Sequence, residues 1–269
     1  MRRLSFVLLA AVSLAGCDTY HFLSGTVHED ARRPIKAIKH YEAFLASRPK
    51  DPRSCEVRLR AAELYRTFFF RCSDARRHYE AAARDFPHMT ACVDLAKVGL
   101  LNCPDYFPLE LNRTWVYVDS DSKGKSMRLD WQLMKSSGAA GGVITTALFA
   151  GNKRIREARE IYRKEDWAVW RTDGPRPEPI LRYPYAEGQA WRIRGAMAKE
   201  WTVVASSVAV KVAAGSFSEC LKVKENDLRY KGSWRFDYYC PGVGRVKTTV
   251  GGPGFENPNT ELSRFDKMD

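Results

Sequence analysis

Apolar positions in the first part of the chain recur at helical spacing. Ala37, Tyr41, Phe44 and Leu45 fall on one face, Ala75, Tyr79, Ala82 and Ala83 repeat the arrangement, and Pro49 and Pro87 follow each group. A 3.6-residue turn lines such positions up as a stripe, and a proline cannot donate the next intrahelical hydrogen bond, so each helix stops before it. Helices are expected near residues 31–47, 54–69, 74–85 and 89–101. The period changes after Cys103-Pro104-Asp105. Trp115-Val-Tyr-Val, Met127 to Lys135 and Val143 to Phe149 alternate or run apolar between turn signals such as Ser122-Lys123-Gly124 and Gly138 to Gly142, which reads as strands. Further strands are expected near 166–171, 199–212, 217–226, 232–240, 244–250 and 260–266. Lys153 to Lys164 fits either period, because Ile155, Ala158 and Tyr162 also share a helical face; the strand reading is preferred. The fold class is therefore α+β: a short array of helical hairpins over 29–103, then a large, mostly antiparallel, curved sheet over 104–269, folded over or partly closed.

The extreme N-terminus follows neither pattern. Arg2 and Arg3 precede a short apolar run from Leu4 to Val12, and small residues lead to Cys17. That is the layout of an export signal, and the run falls well short of the ~20 residues a membrane-spanning helix needs. Leu14-Ala15-Gly16-Cys17 resembles the lipobox of bacterial lipoproteins, which implies cleavage after Gly16, a diacylglycerol thioether on Cys17 and a further acyl chain, such as palmitate, on the new amine. Two or more acyl chains hold a protein stably at a bilayer. Residues 1–16 are thus expected to be a signal peptide and 17–28 a lipidated tether, with the protein anchored through Cys17 and facing the periplasm. Asp18 implies inner-membrane retention in enteric bacteria; other lineages differ, and the choice of membrane stays open.

The helical segment carries an internal repeat. Ala37 to Pro49 and Ala75 to Pro87 share Ala, His-Tyr-Glu-Ala and Pro at an offset of 38 residues. This stretch resembles the second helix of tetratricopeptide repeats, in which a small residue lets helices approach and an aromatic fills the groove between them. It departs from them in period and in a weak first-helix signature. Tyr41, Phe44 and Tyr79 are the candidate interaction residues on this resemblance.

Export changes how the cysteines are read. Cys17 aside, six remain, an even number in an oxidising compartment, which favours disulfides. Zinc would call for closely paired ligands, and the nearest cysteines are eleven residues apart. Cys55 and Cys72 would lie about 25 Å apart along one helix, too far to bridge. Equivalent helices of successive repeats run parallel, which pairs Cys55 with Cys92 and Cys72 with Cys103. A hairpin around Lys231-Gly232 would set Cys220 opposite Cys240, with a catalytic thiol at Cys240 as the alternative.

Tyr106 to Trp115 echoes Arg182 to Trp191, a hint of two half-sheets of related design. Val212-Ala-Ala-Gly-Ser-Phe-Ser-Glu-Cys-Leu-Lys-Val223, with Tyr238-Tyr-Cys-Pro-Gly-Val-Gly-Arg-Val-Lys247, resembles a C-terminal module of uncharacterised envelope lipoproteins with the pattern AGTF, CLKV, YYAPGVGLVK. The resemblance implies an envelope β domain and no reaction.

Charge and chemistry narrow the functions. A net charge of +12 makes a solvated basic surface or attraction to anionic lipid and acidic envelope polymers; no nucleic-acid module is present in the sequence. Gly242-Val-Gly244 precedes a strand, so it reads as a turn and not a dinucleotide loop. All five histidines, His21, His28, His40, His78 and His88, precede the β domain, which leaves it no Cys-His or Ser-His pair of its own. His40 and His78 read as helix-surface residues, and Glu157 and Glu160, amid arginines, as surface ion pairs. No cofactor or metal is expected. The leading expectation is a non-enzymatic envelope lipoprotein that binds a protein partner or aids assembly. The second is a carrier or sensor whose sheet encloses a hydrophobic ligand between Trp and Tyr, and the third an envelope enzyme of unknown reaction.

Overall fold

The computed structural model describes residues 19–195, 198–230 and 232–267. The export signal, Cys17 and Lys231 of the expected hairpin turn lie outside them. The chain divides into two compact units between Cys103 and Pro104.

The first unit is helical. Helix α1 occupies residues 19–30, followed by α2 (Pro34–Ser47), α3 (Arg53–Thr67), α4 (Cys72–Asp85) and α5 (Thr90–Leu101). The tether expected over 17–28 is therefore helical from residue 19 onward. Phe22 explains why: its ring packs on Phe44 at 5.8 Å, within the core of Ala37, Tyr41, Leu45, Val57, Ala61 and Leu64. Pro34 opens α2 at its first turn, where a missing N–H costs no hydrogen bond. The two repeated tyrosines meet glycines on other helices, Tyr41 against Gly25 of α1 and Tyr79 against Gly99 of α5. Only a residue without Cβ admits a ring so close. Each phenol then donates to a carboxylate, Tyr41 to Glu29 and Tyr79 to Glu63. Disulfides join Cys55 in α3 to Cys92 in α5, and Cys72 at the start of α4 to Cys103 just after α5.

The second unit is a twelve-stranded antiparallel sheet, β1 (Arg113–Asp119), β2 (Met127–Ser136), β3 (Gly141–Ala150), β4 (Lys153–Glu165), β5 (Ala168–Arg171), β6 (Glu178–Arg182), β7 (Ala190–Ile193), β8 (Lys199–Val212), β9 (Gly215–Asp227), β10 (Trp234–Cys240), β11 (Gly244–Gly252) and β12 (Phe255–Lys267). Lys153–Glu165 is a strand, so the helical alternative falls. The order β6-β5-β4-β3-β2-β1-β12-β11-β10-β9-β8-β7 makes two six-stranded meanders joined where β1 pairs with β12. Trp115 and Trp191, the echoed tryptophans, lie on the first strand of each meander. Strands β6 and β7 escape the alternation pattern because they are edge strands of only five and four residues, and β6 is interrupted by Pro179. Pro179 sits at a register shift against β5, and Pro258 at another between β11 and β12, the positions where a sheet tolerates a residue that cannot donate. The Cys220–Cys240 disulfide links β9 to β10.

The sheet curls until its edges meet. Trp191 Nε1 on β7 donates to the Pro179 carbonyl on β6 at 2.6 Å, and Lys199 Nζ reaches Glu178 at 3.2 Å. Side chains thus bridge the one gap in a nearly closed, barrel-like sheet. Residues 104–111 cross the end where β4 and β10 finish and β11 begins. The Asp105 carbonyl accepts from the Gly242 N–H at 2.7 Å, and its carboxylate accepts from the fully buried Lys164 ammonium at 2.8 Å. The Phe107 ring packs on Tyr162 at 4.6 Å and on Tyr239 at 6.5 Å.

The glycine contacts generate a prediction with an unusual sign. An exposed helical Gly→Ala change gains roughly 1 kcal/mol. Gly99→Ala instead drives a Cβ into the Tyr79 ring, and such overpacking costs about 1–3 kcal/mol. The variant is expected to unfold at lower denaturant than the parent, measured by urea titration with circular dichroism.

Candidate functional site

The residues expected to meet a partner on the helical unit do not reach its surface. Tyr41 and Phe44 are fully buried and Tyr79 nearly so; the stripe that marks a repeat helix is the stripe it spends on its own core. His78 is likewise a core residue, hydrogen-bonded to Glu42 at 3.0 Å and stacked on Tyr65. His40 belongs to a cluster: its Nδ1 lies 3.0 Å from that of His21, and its ring stacks on His28 at 5.4 Å. One imidazole must donate while the other accepts, so the pair holds only while one Nδ1 is unprotonated. Among the described residues no group of three or more His, Cys, Asp or Glu is placed to hold a metal. The large apolar side chains this unit does expose include Ile35, Phe68, Phe70 and Leu95.

The β unit gathers charge inside its sheet. Alternation sends Arg171 and Glu178, on paired strands β5 and β6, to the inner face, where the guanidinium donates to the carboxylate at 2.6 Å. Lys199 on β8 spans Glu178 and Glu225 at 3.2 and 3.4 Å. Glu225 also accepts from Trp201 Nε1 at 3.1 Å and from Arg235 at 2.7 Å. Arg235 Nε then donates to Asp237 at 2.9 Å, whose other oxygen accepts from Thr248 at 2.8 Å. The result is a relay of alternating charges along the inner wall. Each charge gives up water, and only a partner in good geometry offsets that cost.

Beside the relay lies a cavity of about 300 Å³. Phe107, Tyr162 and Tyr239 line its capped end, and Trp131, Thr146, Glu160, Arg171 and Arg245 line its depth. Leu129, Leu148, Arg156 and Arg235 lie toward the opposite end of their strands. Glu157 pairs with Arg154 on the surface at 2.7 Å, but Glu160 faces inward and accepts from the Tyr162 hydroxyl, so only the first of these carboxylates is a surface ion pair. The expected apolar ligand pocket is also corrected: tryptophan and tyrosine are present, but four arginines share the lining with them. Burial pushes the Tyr117, Tyr162 and Tyr239 phenols up from their ordinary value, and the Glu160 carboxylate reinforces the shift at Tyr162. At neutral pH these hydroxyls are protonated donors.

Arg245 differs from the other arginines. Its guanidinium packs over the rings of Trp131 at 4.4 Å and Tyr117 at 5.1 Å, a cation–π arrangement. Its nearest carboxylate oxygen, on Asp237, is 3.8 Å away, beyond hydrogen-bond reach, and its buried Nε has no acceptor among the described residues. Sequence reasoning missed this residue, since Arg245 read only as the start of the strand that follows the Gly242-Val-Gly244 turn.

No protein-family model and no curated protein matches the sequence. Solved structures that share some likeness include the following three. A Bacteroides fragilis protein described as exported and of YmcC-like fold matches over 60% of this chain and 98% of its own at 15% identity, with a TM-score of 0.39. A Parabacteroides distasonis protein described as a lipoprotein matches over 60% and 98% at 12% identity, with a TM-score of 0.41. A β-barrel-like protein of a domain family of unknown function from Brucella abortus matches over 60% and 100% at 11% identity, with a TM-score of 0.31.

Two predictions follow from these clusters. Asp105→Ala removes the carboxylate facing the buried Lys164 ammonium and is expected to cost about 3–5 kcal/mol in chemical denaturation; adding Lys164→Met should recover most of the loss. Burial, and then the neighbouring His21 and His28, lower the His40 pKa below 6.5. The unfolded chain therefore binds more protons, so stability is full above pH 6.5 and falls as pH drops below it. Melting temperatures read from pH 7.5 to 5 should decline, and less steeply in His40→Gln.

Proposed function

We propose that this protein is a lipid-anchored, periplasm-facing lipoprotein of the cell envelope that works by binding rather than catalysis, as a protein-interaction or assembly factor. The observation that carries this reading is how the reactive groups are used. Inside the sheet, Glu160, Glu178, Glu225 and Asp237 are all engaged by arginine, lysine, tyrosine or threonine donors. Cys220 and Cys240 are joined to each other, and the histidines belong to the helical unit. A site built this way holds donors in fixed places and places no free base beside a nucleophile.

The compartment rests on the N-terminal signal, the lipobox-like Leu14-Ala15-Gly16-Cys17 and the remaining six cysteines. Their pairing into three disulfides suits an oxidising environment. The likeness of the repeated Ala37 to Pro49 and Ala75 to Pro87 stretches to the second helix of tetratricopeptide repeats supports a partner-binding role for the helical unit. Ile35, Phe68, Phe70 and Leu95 replace the buried tyrosines as the side chains a protein partner would meet. A second reading is favoured by the cavity: the β unit is a receptor for a small ligand.

Cys17→Ser is expected to move the protein from the membrane to the soluble periplasmic fraction, and mass analysis of the mature parent should find acyl chains on its first residue. Crosslinking in cells should recover a stoichiometric envelope protein with the anchored parent. A full-length chain that keeps Met1 and remains in the cytosol would overturn the reading.

A further inference from the structure

The Arg245 Nε has no acceptor among the described residues, and the guanidinium meets Asp237 only at 3.8 Å. Five cations, Arg156, Arg171, Lys199, Arg235 and Arg245, line or border the cavity, against four carboxylates, Glu160, Glu178, Glu225 and Asp237. The carboxylates are used elsewhere. Glu178 and Glu225 are shared with Lys199, Asp237 is closed by Arg235 and Thr248, and Glu160 accepts from Tyr162. Arg245 is left deep in the cavity with an unsatisfied Nε, and Arg156 is exposed and lacks an ion pair among the described residues. A buried guanidinium nitrogen without an acceptor is costly. A planar fork of donors held between aromatic rings is the group best suited to take a carboxylate, sulfonate or phosphate edge-on.

The rest of the lining sets the other half of the ligand. Phe107, Trp131, Tyr162, Tyr239, Leu129 and Leu148 supply aromatic and apolar walls beside the arginines. The volume of about 300 Å³ lies at the lower end of the ~300–1,000 Å³ range of small-molecule sites. We infer that the cavity binds a small anionic amphiphile, an oxyanion joined to a compact apolar or aromatic body, with the oxyanion on Arg245 and Arg156 drawing it in from the open side. This rests on the second reading above, that the β unit is a receptor, and names its ligand class.

Two probes with nearly the same ring body separate the possibilities: 8-anilinonaphthalene-1-sulfonate, which carries the oxyanion, and N-phenyl-1-naphthylamine, which lacks it. Titration calorimetry on the folded, disulfide-intact protein is expected to show the sulfonate binding at least tenfold more tightly than the neutral amine. Arg245→Met should weaken the sulfonate tenfold or more and leave the amine unchanged, with the fold retained by circular dichroism, because the Asp237 carboxylate that Arg245 faces at 3.8 Å keeps Arg235 and Thr248 as its hydrogen-bond donors. Arg156→Gln, at an exposed position, should keep the fold and weaken the sulfonate roughly threefold, so the idea stays testable if Arg245→Met does not fold. Equal affinity for both probes would overturn the anionic class while leaving a receptor. Binding of neither would remove the receptor reading itself, and the fractionation of Cys17→Ser would be untouched. Sulfonate binding unaffected by either arginine change would also sink the inference.

Discussion

Pairing of the first strand with the last is the constraint on which the β unit depends. Strands β1 to β6 and β7 to β12 each need only hairpins, whereas β1 finds β12 across nearly the whole unit, Arg113 opposite Lys267 and Asp119 opposite Thr260. Without that ladder two six-stranded ribbons would each show one apolar face to water. With it, the inner faces turn toward each other and the outermost strands approach, close enough for Trp191 and Lys199 to reach β6. The long return is costly in loop entropy and slow to form. The ladder is continuous but for one shift between Val116 and Tyr117, so one pairing fixes the curvature of the whole sheet.

Twelve strands have a second consequence. Barrel diameter grows with strand number, and about eight strands is the size at which ordinary side chains just fill the interior. A wider sheet must fill its middle with larger groups or leave space. Here Trp115, Tyr117, Trp131, Tyr162, Trp191, Trp201 and Tyr239 supply the bulk and are mostly shut from solvent. Long arginine and lysine chains reach further than any apolar residue, and their heads must then be neutralised inside. The relay from Arg171 through Glu178, Lys199, Glu225 and Arg235 to Asp237 is the answer the fold gives to an interior too wide for carbon alone. Its last member, Asp237, meets Arg245 only at 3.8 Å, and the residual cavity lies beside that arginine.

What could be seen in the sequence follows from what each level of structure writes into it. Helices α2 to α5 have apolar stripes with prolines behind them, and the long strands alternate. Period alone therefore separated the helical residues before Cys103 from the strands after it. Residues 19–30 were missed because Phe22 and Gly25 matter only through Phe44 and Tyr41, contacts that no local window contains. The same limitation misplaced Tyr41, Phe44 and Tyr79: a periodic stripe shows that a face is buried, not what covers it. The inner charges were hidden for a different reason. Glu157 and Glu160 look alike in sequence, and only the pleat of β4 sends one to water and the other to the cavity. Closure was the least legible feature, since β6 and β7 are four or five residues long and β12 carries a proline.

The helical unit faces the opposite problem, too little interior rather than too much. The short helices around Tyr41, Phe44, Leu45 and Leu64 bury a modest core, and small units of this kind gain much from a covalent staple. Two bridges, Cys55–Cys92 and Cys72–Cys103, tie α5 and the residues just after it to α3 and α4. A covalent link of this kind removes freedom chiefly from the unfolded chain and is worth about 2–4 kcal/mol each. That stabilisation exists only where thiols stay oxidised. An oxidising environment is therefore a condition of this unit's full stability, because the two bridges that tie α5 to α3 and α4 hold only there.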